Sequence, residues 1–176
     1  MPTNSFCKAS RKWGTLVLIN MFQRILLATD FSDNAHSACA WAEKLAQTND
    51  GTVVLIHALE DDLVATAPVF AEYMQADVLD VGRYREGFRA AAKRALEGVA
   101  DRMRSRGTSV ETHLLENGKP SVAMVQGAQD LNCSVIVMAT HGRGGIAKFL
   151  LGSTVEKVVR MATCPVLTVP EGEEVS

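Results

Sequence analysis

Val135-Ile136-Val137-Met138-Ala139-Thr140-His141-Gly142-Arg143-Gly144-Gly145 is the passage on which the fold turns, and Gly152-Ser153-Thr154 completes it. Val135 to Met138 is the most strongly apolar run of the chain, and it is continuous rather than alternating, which predicts a strand covered on both faces. The run ends in a glycine-rich loop, and a helix over 154–161 is predicted beyond it. Glycine lets a backbone turn freely and come close to a ligand, because no Cβ stands in the way. The N–H groups at a helix start carry partial positive charge and favour phosphate oxygens. Ser153 would add a hydroxyl donor. The same residues also suit an ordinary loop with a plain helix cap, and no Gly-Lys-Ser/Thr closes the passage as a Walker P-loop would.

The segments around this passage alternate. Residues 24–29 form a short apolar run ending at Asp30-Phe31-Ser32-Asp33, where Ser32 is a good helix N-cap. Ala35, Ala38, Trp41, Ala42 and Leu45 then recur at helical spacing on one face, before Asn49-Asp50-Gly51. A second continuous apolar run covers 53–58. Residues 59–77 show no period and are expected to be a lid or a variable insertion. A long helix is predicted over 78–106, with Val81, Tyr84, Phe88, Ala92, Leu96, Val99 and Met103 on its buried stripe. Gly107 ends it, and the alternating residues 109–116 suggest a strand near a sheet edge. The turn Asn117-Gly118-Lys119-Pro120 precedes a helix over 121–131, and Pro165 introduces a last strand over 166–169. This order predicts an α/β fold: a five-stranded, mostly parallel twisted sheet with right-handed crossovers and helices on both faces. Ligands of such sheets sit at the carboxyl ends of the strands, near the topological switch point.

Composition narrows the function classes. The 176 residues are 47% hydrophobic and 22% charged, a size and balance suited to one self-sufficient domain. With 18 Lys and Arg against 20 Asp and Glu, the net charge of -2 lacks the excess that nucleic-acid binding demands, so no nucleic-acid partner is expected. Glu86, Glu97 and Asp101 also interrupt the basic face of the long helix. No apolar run approaches the ~20 residues of a membrane span, so no membrane partner is expected either. Cys7, Cys39, Cys133 and Cys164 are scattered without metal-site spacing and read as reduced, mostly buried thiols, which points to the cytoplasm. Residues 1–20 carry Lys8, Arg11 and Lys12, no acid, and an apolar patch too short for a secretory signal. They are expected to be a disordered extension, or to precede a natural start at Met21. The domain is then 21–170, with 171–176 a tail.

Four passages resemble the universal stress protein family: RILLATDFS (24–32) with Asp30; LIHA (55–58); Gly118-Lys119-Pro120; and VMATHGRGGIAKFLLGSTVEKVV (137–159) followed by CPVLTV (164–169). The family's nucleotide-binding branch carries Gly-x2-Gly-x9-Gly-Ser/Thr, which falls here on Ala139, Gly142, Gly152 and Ser153, with alanine in the first glycine's place. The resemblance implies a Rossmann-like, adenine nucleotide alpha-hydrolase-like fold and a pocket for ATP, with or without Mg²⁺. In that pocket Asp30 would accept hydrogen bonds from the ribose hydroxyls, a role preferred here to capping the next helix. Ala58 would read the adenine edge through its backbone, and Met138 and Ala139 would line the wall. Gly142, Gly152, Ser153 and Thr154 would hold the phosphates, Arg143 would pair with the outer ones, and His141 belongs to the same loop. His57 and His141 end strands that look adjacent, so a paired metal or acid/base site is conceivable, although a third ligand is missing. The resemblance also implies a homodimer through the last strand, Val166–Val169.

Two functions follow. One is a stress-responsive module that binds ATP, with at most slow hydrolysis, since no Walker lysine, base or nucleophile is evident. The alternative is an ATPase or adenosine-phosphate hydrolase using His141 or Asp30 with Mg²⁺. A flavin carrier is disfavoured by the 6% aromatic content. With so little net charge, backbone N–H groups would have to do most of the holding of an anion.

Overall fold

The structure is a computed structural model that describes residues 22–32, 35–59, 81–116, 118–141 and 151–172. Five strands and four helices alternate among them: β1 (Arg24–Ala28), α1 (Ala35–Asn49), β2 (Thr52–Ala58), α2 (Val81–Ser105), β3 (Ser109–Leu115), α3 (Pro120–Asp130), β4 (Val135–Ala139), α4 (Ser153–Met161) and β5 (Val166–Val169). The strands form one sheet in the order β3-β2-β1-β4-β5, and every pairing is parallel. The chain steps outward in one direction through β1, β2 and β3, then crosses back to β4 and β5. The reversal makes β1 and β4 neighbours and puts the switch point between their carboxyl ends.

Two hydrophobic layers explain the continuous apolar runs. Ile25, Leu27, Val53, Leu55, Val135 and Val137 pack against α1 and α2 on one face. Leu26, Val54, Ile56, Ile136 and Met138 pack against α3 and α4 on the other. Successive residues of the central strands are therefore buried on opposite sides, and no polar alternation can appear. Reversing the direction of travel while keeping right-handed crossovers moves α3 and α4 to the second face.

Three of the helices stop in one way. Asp50, Gly107 and Asn132 each adopt positive φ just past a helix end (φ 50, 85 and 53). The next N–H reaches back to a carbonyl in the last turn: Gly51 to Ala46, Thr108 to Met103 and Cys133 to Ala128. Aspartate, glycine and asparagine are the residues that tolerate this left-handed cap, and each cap feeds directly into β2, β3 or β4.

Several expectations shift in detail. The buried stripe of α1 is built from Ala35, Ala38, Cys39, Ala42 and Ala46, with Trp41 and Leu45 only partly covered at its border. On α2 the stripe runs through Ala92, Leu96, Ala100 and Met103, whereas Phe88 is 45% exposed, in the first turns of the helix where the described side chains between 82 and 88 are all exposed. The side chains of Val81 and Tyr84 lie outside the described set, as do residues 1–21 and 60–80, which hold the basic opening segment and nearly all of the expected lid. The third helix begins at Pro120 rather than Ser121, since proline at the first helical position loses no intrahelical hydrogen bond. The strand over 109–115 is an edge strand, as its alternating pattern predicted. Cys39 and Cys133 are buried, Cys164 is half-buried, and all three are free thiols, while Cys7 lies outside the described residues.

Candidate functional site

The carboxyl end of β1 is held by its own loop chemistry. Thr29 donates its N–H to the Ile56 carbonyl (3.0 Å), which extends the β1–β2 ladder by one rung. The hydroxyl oxygen of Thr29 accepts from Phe31 N–H at 3.1 Å. Asp30 Oδ1 accepts from both the N–H (3.0 Å) and the hydroxyl (2.6 Å) of Ser32. These short-range bonds hold Phe31 at φ 62, a conformation that non-glycine residues seldom adopt. The Phe31 ring lies against His57, with centroids 4.4 Å apart.

His57 Nδ1 donates to the Thr29 carbonyl at 2.8 Å, because a carbonyl can only accept. It ties the end of β2 to that of β1. β1 lies between β2 and β4, so His57 and His141 do not end neighbouring strands, and the paired site conceived from the sequence is separated by a full strand. Among the described residues no cluster of three or more His, Cys, Asp or Glu could hold a metal ion.

Ala58 ends β2, is buried, and pairs with Leu115 of β3. At the end of β4, Met138 packs into the α3/α4 layer, and Ala139 packs on the α1/α2 layer. The methyl group that distinguishes Ala139 from glycine is thus taken up by side-chain packing. Thr140 donates its N–H to the Val169 carbonyl and accepts from Gly152 N–H, both at 2.9 Å. That second bond closes the base of the glycine-rich loop onto the strand end. A Cβ on Gly152 would lie 3.3 Å from the Thr140 carbonyl oxygen and 3.8 Å from His141 Cα, so this close backbone approach favours glycine.

Ser153 and Thr154 open α4, and the first intrahelical bond runs from Glu156 N–H to the Gly152 carbonyl. The N–H groups of Ser153, Thr154 and Val155 therefore come before any intrahelical partner, the arrangement that suits an anion. His141 Nδ1 lies 3.0 Å from the Thr140 hydroxyl, and its buried Nε2 has no hydrogen-bond partner among the described residues. Gly142 and Arg143 lie outside the described residues.

The structure thus brings Asp30, from the end of β1, and Met138, Ala139, His141, Gly152, Ser153 and Thr154, from the end of β4 and the start of α4, to the two sides of the switch point. Ala58 stands one strand further along. Sequence reasoning gave no role to Thr29 and Thr140, whose backbone groups fasten these strand ends, although both fall inside the passages that carry the family resemblance. It also missed a groove of about 290 Å³ between α1 and α2, lined by Thr29, Phe31, Ser32, His36, Cys39 and Arg102 among others. Burial pushes the Cys39 thiol in this groove up to about 11, with Glu43 reinforcing the shift. No described helix is long and apolar enough to cross a membrane.

The sheet order and its switch point define a doubly wound, all-parallel α/β domain. Residues 21–170 match the Universal stress protein family, and the chain belongs to that family. A relative from Thermus aquaticus, the universal stress protein in the QAH/OAS sulfhydrylase 3' region, is 36% identical over 149 residues, covering 85% of this chain and 99% of its own length. The solved structure of MJ0577, a universal stress protein of Methanocaldococcus jannaschii, superposes with a TM-score of 0.72 at 24% identity, covering 88% of this chain and 99% of its own. A universal stress protein from Archaeoglobus fulgidus, solved in complex with dAMP, has a TM-score of 0.56 at 22% identity, covering 84% of this chain and 98% of its own.

Proposed function

We propose that this chain is a stress-response module that binds an adenine nucleotide, ATP in the cytoplasm, at the β1/β4 switch point, with at most slow hydrolysis. The observation that carries the reading is the closed base of the glycine-rich loop. Gly152 donates its N–H to the Thr140 carbonyl, where a Cβ would sit tightly at 3.3 Å from the oxygen, and hands over directly to the N–H groups at the start of α4. The spacing Ala139-x2-Gly142-x9-Gly152-Ser153 lies across this feature, and the dAMP complex of the Archaeoglobus relative supports the ligand class. In this reading Asp30 takes the ribose hydroxyls and Ala58 the adenine edge. Met138 and Ala139 line the wall, and Gly142, Arg143, Gly152, Ser153 and Thr154 hold the phosphates. The chain's own described residues gather no metal ligands, so Mg²⁺ belongs to this reading as the ion carried on the triphosphate.

The same reading includes a homodimer through β5. Val166-Leu167-Thr168-Val169 carries no charge along the sheet's outer edge, whereas the opposite edge, β3, carries Glu111 and His113, which discourage strand addition. The domain is taken as 21–170, with residues 1–20 and 171–176 as extensions.

Calorimetry with ATP, AMP and adenosine on the full chain tests the site. Asp30→Asn should weaken all three ligands by about tenfold, the scale of one hydrogen bond to a charged group. Ser153→Ala should weaken only the phosphorylated ligands. Absence of heat or of a thermal shift with saturating ATP would overturn the nucleotide reading.

A further inference from the structure

We infer that Cys133 and Cys164 are a dithiol pair that a hydroperoxide closes into an intramolecular disulfide, at the end of the sheet opposite the switch point. Each residue lies just before a strand, Cys133 before β4 and Cys164 before β5. These strands are parallel neighbours, with Ile136 opposite Val166. The sheet is still intact at their starts, since Ile136 N–H bonds the Pro165 carbonyl at 3.0 Å and Ser134 N–H bonds the Arg24 carbonyl at 2.8 Å. Carried back two positions, the register sets Cys164 opposite Ser134 and one position away from Cys133. Adjacent parallel strands run about 4.8 Å apart and rise about 3.3 Å per residue, so a Cα one position out of register lies about 6 Å away, inside the roughly 4.4–6.8 Å that a disulfide spans.

The two side chains also share a face. Strict alternation would put them on opposite sides of the sheet, but the left-handed turn at Asn132 (φ 53) comes just before Cys133. Cys133 therefore joins the layer under α3 and α4, and Cys164 packs against that same layer. Two further bonds draw the turns together at the end of α3. Cys133 N–H reaches the Ala128 carbonyl at 2.8 Å, and the Gln129 side-chain amide donates to the hydroxyl of Thr163, the neighbour of Cys164, at 3.2 Å. Burial pushes the Cys133 thiol up to about 11, and Cys164 adds to the rise, so the two sulfurs are within electrostatic reach. Cys39, by contrast, packs on the other face, under α1 and α2.

Exposure sets the order of the steps, because Cys164 is half-buried and Cys133 buried. The Cys164 thiolate attacks the terminal oxygen of the hydroperoxide; the O–O bond breaks, an alcohol leaves with the proton, and Cys164 becomes a sulfenic acid. The Cys133 thiolate then attacks that sulfur, the S–S bond forms, the S–O bond breaks, and hydroxide leaves as water. In sum the two thiols lose two electrons and two protons, and the hydroperoxide is reduced to an alcohol and water. Burial raises both thiols, so the thiolate fraction is small and the pair answers sustained rather than brief exposure. The bridge ties the turn after α3 to the turn after α4 and pins the edge strand β5 to β4.

The experiment treats the full chain with hydrogen peroxide, alkylates the remaining thiols and maps the unreduced peptides by mass spectrometry. The expected product carries a Cys133–Cys164 link within one chain, and dithiothreitol restores both thiols. Its thermal midpoint should exceed that of the reduced chain by about 5–10 °C, the scale of a cross-link closing a loop of this length. Cys133→Ser should halt the reaction at a Cys164 sulfenic acid that dimedone captures. Cys164→Ser should leave Cys133 unoxidised and open to alkylation once the chain is unfolded, and Cys39→Ser should change none of this. Both thiols still alkylatable after the oxidant would overturn the inference, as would a bridge through Cys7 or Cys39, a bridge between two chains, or one that forms only in urea. If a serine variant does not fold, the wild-type peptide map decides alone.

Discussion

Gly51 and Gly87 illustrate how differently two glycines can be constrained. A Cβ on Gly51 would lie 2.7 Å from the Phe22 carbonyl oxygen and 3.0 Å from that of Gln23, both backbone atoms. The strand start cannot yield, because Thr52 N–H is already bonded to the Gln23 carbonyl at 2.8 Å. Around Gly87, within α2, a Cβ would meet nothing within 4 Å. Gly51→Ala should therefore destabilise by about 1–3 kcal/mol, the usual range for overpacking. Gly87→Ala should stabilise by about 0.5–1 kcal/mol through lower unfolded-chain entropy and better helix propensity. Urea midpoints at constant slope measure both, and equal shifts in the two variants would contradict the geometry.

At the scale of elements, β5 carries the sharpest expectation. Ile136 N–H bonds the Pro165 carbonyl and Thr140 N–H bonds the Val169 carbonyl, so the odd-numbered residues of β5 face β4. Val166 and Thr168 consequently turn their backbone groups to the open edge. Thr168→Pro removes an N–H from that edge alone. If β5 forms the proposed dimer interface, this variant should sediment as a monomer while keeping the β4–β5 ladder and a cooperative melt; an unchanged dimer would place the interface elsewhere. The elements themselves were largely readable in the chain, since Val135 to Met138, Val53 to Ile56 and Ile25 to Ala28 are apolar without interruption, and such runs have few other uses. What could not be read is what depends on sheet order. His57 and His141 looked like neighbours because both end strands, and only the insertion of β1 between β2 and β4 separates them. Phe88 matched the α2 stripe by spacing, but helical periodicity does not say where the packing beneath a helix stops. In the site, the glycines and Asp30 were visible as motif residues. The roles of Thr29 and Thr140, which lie in the same passages, were not, because they act through backbone groups and hydroxyls that many residues share. Asn132 likewise caps α3 through a positive φ that a single asparagine does not announce.

At the scale of the molecule, titration brackets stability on both sides. Hydrogen bonds from Thr112 and Arg104 lower Glu97, and the Arg24 guanidinium lowers Glu111. A depressed carboxylate contributes stability above its unfolded value of 4.5 and loses it as pH falls through the folded value. Both side chains are about half exposed, so the acid-side loss should be gradual and small. Burial raises Cys39 and Cys133 from 9.0 to about 11. A raised thiol contributes its full stability below 9 and loses it as pH climbs toward 11. Urea midpoints should accordingly be flat between about pH 5 and 9, with a fall beyond pH 9 that Cys39→Ala reduces. A midpoint still flat at pH 11 would mean that the thiols remain as easily ionised in the fold as in the open chain.

The two core layers meet in β1, and this determines how the whole molecule should come apart. Leu27 belongs to the layer under α1 and α2, Leu26 to the layer under α3 and α4, and both are fully buried. Were the layers independent, Leu27→Ala would unfold one half and Leu26→Ala the other, with two transitions in each variant. Because the strand they share is hydrogen-bonded to both β2 and β4, neither layer can open without losing the centre of the sheet. Each variant should thus lose about 2–5 kcal/mol in a single transition with unchanged slope in urea. The proposed site extends the test, since β1 also delivers Asp30 to the switch point. ATP at 100 times its dissociation constant should restore about 2.7 kcal/mol to wild type and to both variants alike, as one cooperative unit requires. Recovery confined to one variant would instead show that the site is coupled to only one of the two layers.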